Sequence, residues 1–226
     1  ADGIPGEQAT MLAEVRSTLG TVTERLQQIL RTVRRDPSNA EMTRIDLNNL
    51  LRETDHTWSE MARDKWKLQV RVEPGAAPIP IRGDASHLQQ AIENLLFNAR
   101  DATFEMRNHV RKAARAVTDP AKRKQALIDA ASWMGQVTLK VSRAGDRAVL
   151  EVHDNGIGMT PEVLERCRQT HFSTKRDNAL FEGYSAGMGL GLSFVVVVLE
   201  HHDANLAIES EPEKGALFRI LFPLAT

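Results

Sequence analysis

The chain has 226 residues, 29 basic and 30 acidic, so its formal net charge is only −1. This balance gives no argument for a nucleic-acid partner or a membrane-surface partner. No stretch approaches the ~18 consecutive apolar residues of a transmembrane helix, so we expect no membrane span within the chain. The only cysteine, Cys167, excludes an internal disulfide and fits a reducing compartment, so we expect a cytoplasmic location.

The first forty residues carry a heptad pattern between Glu7 and Arg35. The apolar positions alternate in steps of three and four: Leu12, Val15, Leu19, Val22, Leu26, Ile29 and Val33. A narrow stripe of this period predicts a long, coiled-coil-like helix that pairs with a partner, and we expect a homodimer. The alternative is an amphipathic helix packed on its own domain.

A helix, a strand and a connector are predicted between the heptad segment and the next long helix. A helix is expected from about Asp46 to Lys65 and a short strand from Lys67 to Val72. Residues 74–80 are rich in proline and predict a stiff connector that ends at 82–84. Ser86, with Gln89 three residues later, forms a capping-box pattern that predicts a helix start.

That helix carries a polar stripe beside its apolar face. Asn94, Asn98 and Asp101 follow one another at intervals of four and three residues, so their side chains share one side of the helix. One interpretation is a solvated edge. The other is a polar row facing a phosphate tail, with an amide oxygen available to a hard cation such as magnesium.

Residues 105–135 predict a helical hairpin, broken near Asp119 and Pro120. The segment has seven basic residues and three acidic ones. Such a positive face either docks an acidic partner or is simply solvated.

An alternating strand, 148–154, ends in an acid followed by glycines. It follows strand 136–143 as a hairpin, and Asp154 falls in phase with its apolar face. A carboxylate at the rim of a buried layer needs a donor, which the amino group of an apolar heterocycle would supply. Gly156 and Gly158 would let the backbone pass close to such a ligand. The alternative is an ordinary turn.

The remaining segment predicts a short helix after Thr160, a loop over 171–188 and an apolar helix from Ser193 to about His201. The glycine-rich stretch 187–191 leads into that helix, where free amides and the helix dipole favour an anion. Two strands, 205–210 and 216–223, complete the chain.

Four motifs together resemble the N, G1, F and G2 boxes of sensor histidine kinases, in the same order. They are Asn94-Leu95-Leu96-Phe97-Asn98-Ala99, Asp154-Asn155-Gly156-Ile157-Gly158-Met159, Phe172-Ser173-Thr174-Lys175 and Gly187-Met188-Gly189-Leu190-Gly191. The resemblance covers residues 44–225 and extends to the wider family of DNA gyrase, Hsp90 and MutL. It implies the two-layer α/β sandwich of the Bergerat ATP-binding fold, with a mixed five-stranded sheet and helices on one face.

The resemblance also implies roles for particular residues. Asp154 would accept from the adenine amino group, Asn98 would ligate Mg²⁺, and Asn94 would support the phosphates or the metal. Lys175 and the amides around Gly187 and Gly189 would line the triphosphate of ATP, with residues 160–190 as a lid. The other nucleotide-binding residues would be Asp101, Gly156, Gly158, Leu190 and Gly191. Residues 1–40 would be the second helix of a dimerisation domain, and 41–226 the catalytic domain with a helical insertion at about 105–135.

Two departures from the family pattern qualify these expectations. Ala216 stands where the family often has threonine, which predicts weaker nucleotide binding. No histidine precedes His56, so the phosphoacceptor histidine would lie outside this chain, as expected for an excised part of a two-component sensor with a response-regulator receiver domain as its partner. The alternatives are a non-catalytic ATP-binding sensor and an ATPase or protein kinase that acts in trans.

Overall fold

The computed structural model describes residues 41–167 and 191–225. The strands are β1 (Thr43–Asp46), β2 (Leu68–Glu73), β3 (Pro80–Gly83), β4 (Gly135–Ala144), β5 (Arg147–Asp154), β6 (Asn205–Ser210) and β7 (Ala216–Pro223). The helices are α1 (Leu47–Met61), α2 (Ala85–Ala116), α3 (Pro120–Ser132), α4 (Pro161–Arg166) and α5 (Gly191–His201), and a π-helical turn (Ala62–Trp66) extends α1. The heptad segment lies outside the described residues, so the dimer remains a prediction.

The main sheet has five strands in the order β2-β4-β5-β7-β6. The pair β2–β4 is parallel and the other pairs are antiparallel, which confirms the mixed sheet that the sequence predicts. One face is buried beneath the helices and includes Leu150 and Val152 of β5. On the other face Arg219 forms ion pairs with Glu151 and Glu209. The fold is therefore a two-layer α/β sandwich.

The helix α2 forms the centre of the helical layer. Its predicted core positions are buried: Leu88, Ala91, Ile92, Leu95, Leu96 and Ala99. The predicted cap is wrong by two residues, because Asp84 rather than Ser86 is the N-cap, and its carboxylate accepts from the His87 amide at 2.9 Å. Aspartate and serine are equally good caps, so the capping-box spacing did not discriminate between them.

A second, two-stranded sheet was not predicted. The strand β3 lies within the stretch interpreted as a connector, and it pairs antiparallel with β1. Asp46 orders the connector, because its Oδ1 accepts from the amide of Ile79 at 2.9 Å as well as from that of Asn48 at 3.0 Å. These strands have only four residues each and are separated by more than thirty residues in the sequence, so neither shows a local periodicity that could be detected.

The helical hairpin is present, but its first arm is the end of α2. That helix runs without interruption to Ala116, and α3 starts at Pro120 with Asp119 as its N-cap, as predicted. Ala114 on α2 and Ala130 on α3 are both buried, and the two helices are in contact. No helix among the described residues is long and apolar enough to cross a membrane.

Candidate functional site

Asp154 ends β5 on the buried face of the sheet, and its side chain is only 2% exposed. Its Oδ1 accepts from the Gly156 amide at 2.8 Å. Burial raises the pKa of this carboxyl to about 7, although the backbone amides of Gly156 and Ala216 act in the opposite direction. Among the residues that the structure describes, no cation acts on this carboxyl to offset its burial, so its charged form costs stability, which is typical of a functional group.

The loop after Asp154 is held against α2. The Ile157 amide donates to the Ala102 carbonyl at 3.0 Å, and a Cβ added to Gly156 would lie 2.5 Å from the Ala102 Cβ. Gly158 has φ +69°, and an added Cβ would lie 1.9 Å from the Glu211 carbonyl oxygen. Both glycines therefore have a packing reason within the protein, in addition to the close passage of a ligand that the sequence suggests.

Asn94, Asn98 and Ala102 lie along one stripe of α2 at intervals of four residues. At one end of the stripe, a Cβ added to Gly191 would lie 3.5 Å from Asn94 Oδ1 and 3.9 Å from Asn98 Oδ1. At the other end Ala102 contacts the loop beside Asp154. One face of α2 thus connects the buried carboxylate to two amide oxygens and the first residue of α5.

Asp101 is directed into a local ion pair. Its Oδ1 accepts from both Nε and Nη2 of Arg100 at 2.8 Å. The other predicted residues Lys175, Gly187, Gly189 and Leu190 lie outside the described residues.

Several residues that sequence reasoning did not assign hold the glycine loop in place. The Ser210 hydroxyl donates to the Gly215 carbonyl at 2.6 Å and accepts from the Met159 amide at 2.9 Å. Asn155 bridges to β4, with Oδ1 accepting from the Gln136 amide at 2.7 Å. Asn155, directly before Gly156, gave a usable signal, since asparagine commonly bonds nearby backbone in turns. Ser210 gave none, because its bond to Met159 joins residues that are distant in the sequence.

The amide oxygens of Asn94 and Asn98 fit a magnesium site, because hard cations prefer oxygen ligands and these oxygens lie 3.5 Å and 3.9 Å from one point, the Cβ position added to Gly191. Among the described residues, no group of three or more His, Cys, Asp or Glu side chains is arranged to hold a metal ion.

Residues 83–226 match the family of histidine kinase-, DNA gyrase B- and HSP90-like ATPases. The chain belongs to this family. Its match includes Asn94, Asn98, Asp154 and Gly191, so the stripe on α2 and the carboxylate on β5 lie in an ATP-binding catalytic domain.

Curated relatives of this ATPase-family chain include a sensor histidine kinase and a sporulation kinase. It is 27% identical to the sensor histidine kinase ZraS of Klebsiella oxytoca over 99% of this chain and 39% of that protein. It is 36% identical to sporulation kinase C of Bacillus subtilis over 43% of this chain and 21% of that protein. The chain thus spans well under half the length of these relatives.

Solved structures share the fold. The catalytic domain of the histidine kinase ThkA aligns with a TM-score of 0.57 at 20% identity, covering 81% of this chain and 95% of that one. Full-length ShkA in complex with AMPPNP aligns with a TM-score of 0.65 at 19% identity, covering 100% of this chain and 40% of that one. The predicted α/β sandwich of the histidine kinase ATPases is confirmed.

Proposed function

We propose that the chain binds Mg-ATP along the stripe of α2 and transfers the γ-phosphoryl group to a histidine outside this chain. The observation that carries the proposal is the connection, by one face of α2, of the buried Asp154 carboxylate to the amide oxygens of Asn94 and Asn98. The two ends differ in chemistry as the two ends of a nucleotide do. One end is enclosed and accepts hydrogen bonds, and the other is polar and adjoins a helix start.

The adenine end is assigned to Asp154. Its carboxylate would accept from the exocyclic amino group while the ring occupies the apolar layer beside β5. Ala216, directly opposite Asp154 in the β5–β7 register, would lie beside the ring. Gly156 and Gly158 keep the loop at its position against α2 and the turn between β6 and β7, so the carboxylate is held in one orientation.

The phosphate end is assigned to Asn94, Asn98 and the amides at the start of α5, where the helix dipole favours an anion. The predicted Lys175, Gly187, Gly189 and Leu190 would complete this end, while Asp101, tied to Arg100, follows Asn98 along α2 toward the adenine end. Asn98 Oδ1 would hold Mg²⁺, which when bound screens charge on the phosphates. These residues orient the γ-phosphorus for in-line attack.

Phosphoryl transfer would form a bond between an imidazole nitrogen and the γ-phosphorus as the bond to the β–γ bridging oxygen breaks, releasing ADP. The first histidine of this chain, His56, lies on α1. The acceptor is therefore assigned to another polypeptide or segment, in keeping with the sensor kinases among the relatives. In the same proposal residues 1–40 form the dimerisation helix, 41–226 the catalytic domain with its hairpin, and a receiver domain the downstream partner in the cytoplasm.

One incubation with magnesium and γ-labelled ATP tests the proposal by following ATP binding, ADP formation and protein-bound label together. We expect binding without label on this chain, and acid-labile label when a polypeptide containing an acceptor histidine is added. Acid-stable label on this chain would contradict the proposal, because it would place the phosphate on a hydroxyl. Steady ADP release without any labelled protein would instead make the chain an ATPase.

A second candidate function is a nucleotide sensor that binds ATP without transferring phosphate. Ala216 favours it, because an alanine opposite Asp154 offers no hydroxyl beside the carboxylate. Ala216→Thr distinguishes the two in the same assay. Tighter ATP binding together with faster transfer would support the kinase, whereas tighter binding with no transfer to any added acceptor would support the sensor.

A further inference from the structure

The outer face of α3 is apolar although no described element covers it. Leu127 and Ile128 are 40% and 53% exposed, and they continue along the helix to the exposed Ala131. We name these three residues the apolar stripe. Together with Pro120, Arg123 and Lys124 of the same helix, they line a shallow, open depression on the surface of α3, called the groove below. The opposite face of α3 is used inside the protein, since Ala130 is buried against the rest of the hairpin.

The tip of the hairpin is strongly positive. We define the basic tip by exposed cations on both arms: Arg111, Lys112, Arg115, Lys122, Arg123 and Lys124. The nearby acid, Asp119, is occupied in capping α3, where its Oδ1 accepts from the Lys122 amide at 2.8 Å. Three of these cations occur within the first five residues of α3, where they oppose the helix dipole. An arrangement that local electrostatics disfavours suggests a role outside the fold.

The base of the hairpin is anchored, so the basic tip and apolar stripe are presented in a fixed orientation. Nη2 of Arg107 donates to the Lys67 carbonyl at 2.7 Å, and its guanidinium lies 5.8 Å from the ring centre of Trp133. Gly135, where the hairpin meets β4, would place an added Cβ 2.8 Å from Thr103.

We propose that the groove on α3 docks an acidic amphipathic helix of a partner protein, with carboxylates on the basic tip and apolar side chains on the apolar stripe. From Pro120 to Ala131 the groove runs about 16 Å along α3, which suits about three turns of a partner helix. Along α3 the cations come first, at 122–124, and the apolar stripe follows at 127–131, so the two kinds of residue occupy different ends of the helix rather than different faces. The partner helix therefore needs an acidic end and an apolar end.

Other occupants match the surface less well. A second copy would bring its own basic tip against the first, and like charges repel. A lipid surface favours cations that flank the whole apolar face at one depth, whereas here they precede it along the axis. A nucleic acid would leave Leu127 and Ile128 without apolar partners.

The test measures fluorescence anisotropy of two synthetic helical peptides of about 14 residues, with leucines at helical spacing and a terminal cluster of either glutamates or lysines. The protein variants are Arg123→Glu with Lys124→Glu, and Leu127→Ser with Ile128→Ser. The matched control is Arg44→Glu with Arg82→Glu, which makes the same charge change on exposed, paired positions of β1 and β3. These positions lie near the start of α2, about 48 Å of helix away from the basic tip.

We expect the glutamate peptide to bind the unaltered chain and to lose at least tenfold in affinity with each groove variant, but less than twofold with the control. The lysine peptide should bind the Arg123→Glu, Lys124→Glu variant more tightly than the unaltered chain. ATP affinity should not change in any variant, which verifies folding.

Three results would overturn the proposal. The first is equal binding of both peptides, or no binding of the glutamate peptide. The second is binding to vesicles of anionic phospholipid, lost in both groove variants, in place of peptide binding. The third is concentration-dependent sedimentation that Leu127→Ser with Ile128→Ser abolishes, which would assign the groove to a second copy.

Discussion

The imidazole of His202 joins α5 to the start of α2, because its Nε2 accepts from the Asp84 amide at 2.9 Å and its Nδ1 lies 2.6 Å from the Val198 carbonyl oxygen. Both bonds are made by the neutral ring with its proton on Nδ1. The ring is 2% exposed. His202 thus ties together the two helices that carry Asn94, Asn98 and Gly191.

His202→Ala should lower the free energy of unfolding by about 2–4 kcal/mol, because it leaves a cavity and an unpaired buried amide. His202→Gln keeps an acceptor for the Asp84 amide, so its free energy of unfolding should fall less than that of His202→Ala. Burial lowers the pKa of His202, although the Val198 carbonyl acts in the opposite direction. The unfolded chain therefore binds the proton first, and stability should fall as the pH drops below about 6.5. Urea denaturation of the unaltered chain and both variants at pH 5 and pH 8 measures this loss of stability. If His202→Gln kept the full pH dependence of the unfolding free energy, the assignment of that dependence to His202 would be contradicted.

Asp154 should make ATP binding and stability respond to pH in opposite ways. Its pKa of about 7 means that the carboxylate is mostly protonated at pH 6, so ATP affinity should be about tenfold weaker there than at pH 8. The folded pKa exceeds the ordinary value of 3.8, so this group's contribution to stability declines as pH rises from about 4 to about 7. Asp154→Asn should stabilise the nucleotide-free chain by about 1–3 kcal/mol at pH 8. Calorimetric titration measures the ATP affinity and denaturation measures the stability, with the exposed Asp146→Asn as the control. A lower stability of Asp154→Asn than of the unaltered chain would contradict the prediction.

Two glycines with positive φ should respond differently to alanine. Gly158 has φ +69° and no space for a Cβ, whereas Gly145 has φ +62° and nothing within 4 Å of its added Cβ. Gly145→Ala should cost about 1 kcal/mol, the strain of the left-handed backbone alone. Gly158→Ala should cost more than 3 kcal/mol or prevent folding, because the loop must leave the Glu211 carbonyl. Equal unfolding free energies for the two variants would contradict this prediction, because they would show that the loop after Asp154 can move to accommodate a Cβ at little cost.

Asn98→Ala should remove the dependence of ATP affinity on magnesium. The amide oxygen proposed as the metal ligand is lost, while Asp154 still accepts from the adenine. Titrations of ATP with and without magnesium measure the difference, and exposed Asn205→Ala serves as the control. Full magnesium dependence in the Asn98→Ala variant would place the metal elsewhere.

Long periodic elements were predictable from the sequence, whereas short paired ones were not. The strands 205–210 and 216–223 were predicted with the bounds that the structure has, because each is a short, largely apolar run bounded by turn residues. The strands β1 and β3 have four residues each and pair only through the fold. The N-cap at Asp84 was missed because the choice among adjacent polar residues is made by tertiary contacts, here the His202 imidazole.

Within the candidate site, residue types were predictable and their mutual placement was not. The stripe of Asn94 and Asn98 follows from helical spacing. That Gly191 faces both amide oxygens, and that Ala102 contacts Gly156, depends on how α2 crosses the sheet. Ala102 carried no chemical signal in the sequence, yet its small side chain is what brings the loop beside α2.

The most direct test of the adenine assignment compares the affinities of ATP and inosine triphosphate for the unaltered chain and for Asp154→Asn. Inosine presents a carbonyl oxygen where adenine has its amino group, so it would set an acceptor against the carboxylate. We predict a preference for ATP of at least ~100-fold in the unaltered chain, falling below ~10-fold in Asp154→Asn because the asparagine amide can donate to the inosine oxygen. Equal binding of the two nucleotides by the unaltered chain, or an undiminished preference in Asp154→Asn, would contradict the assignment of Asp154 to adenine.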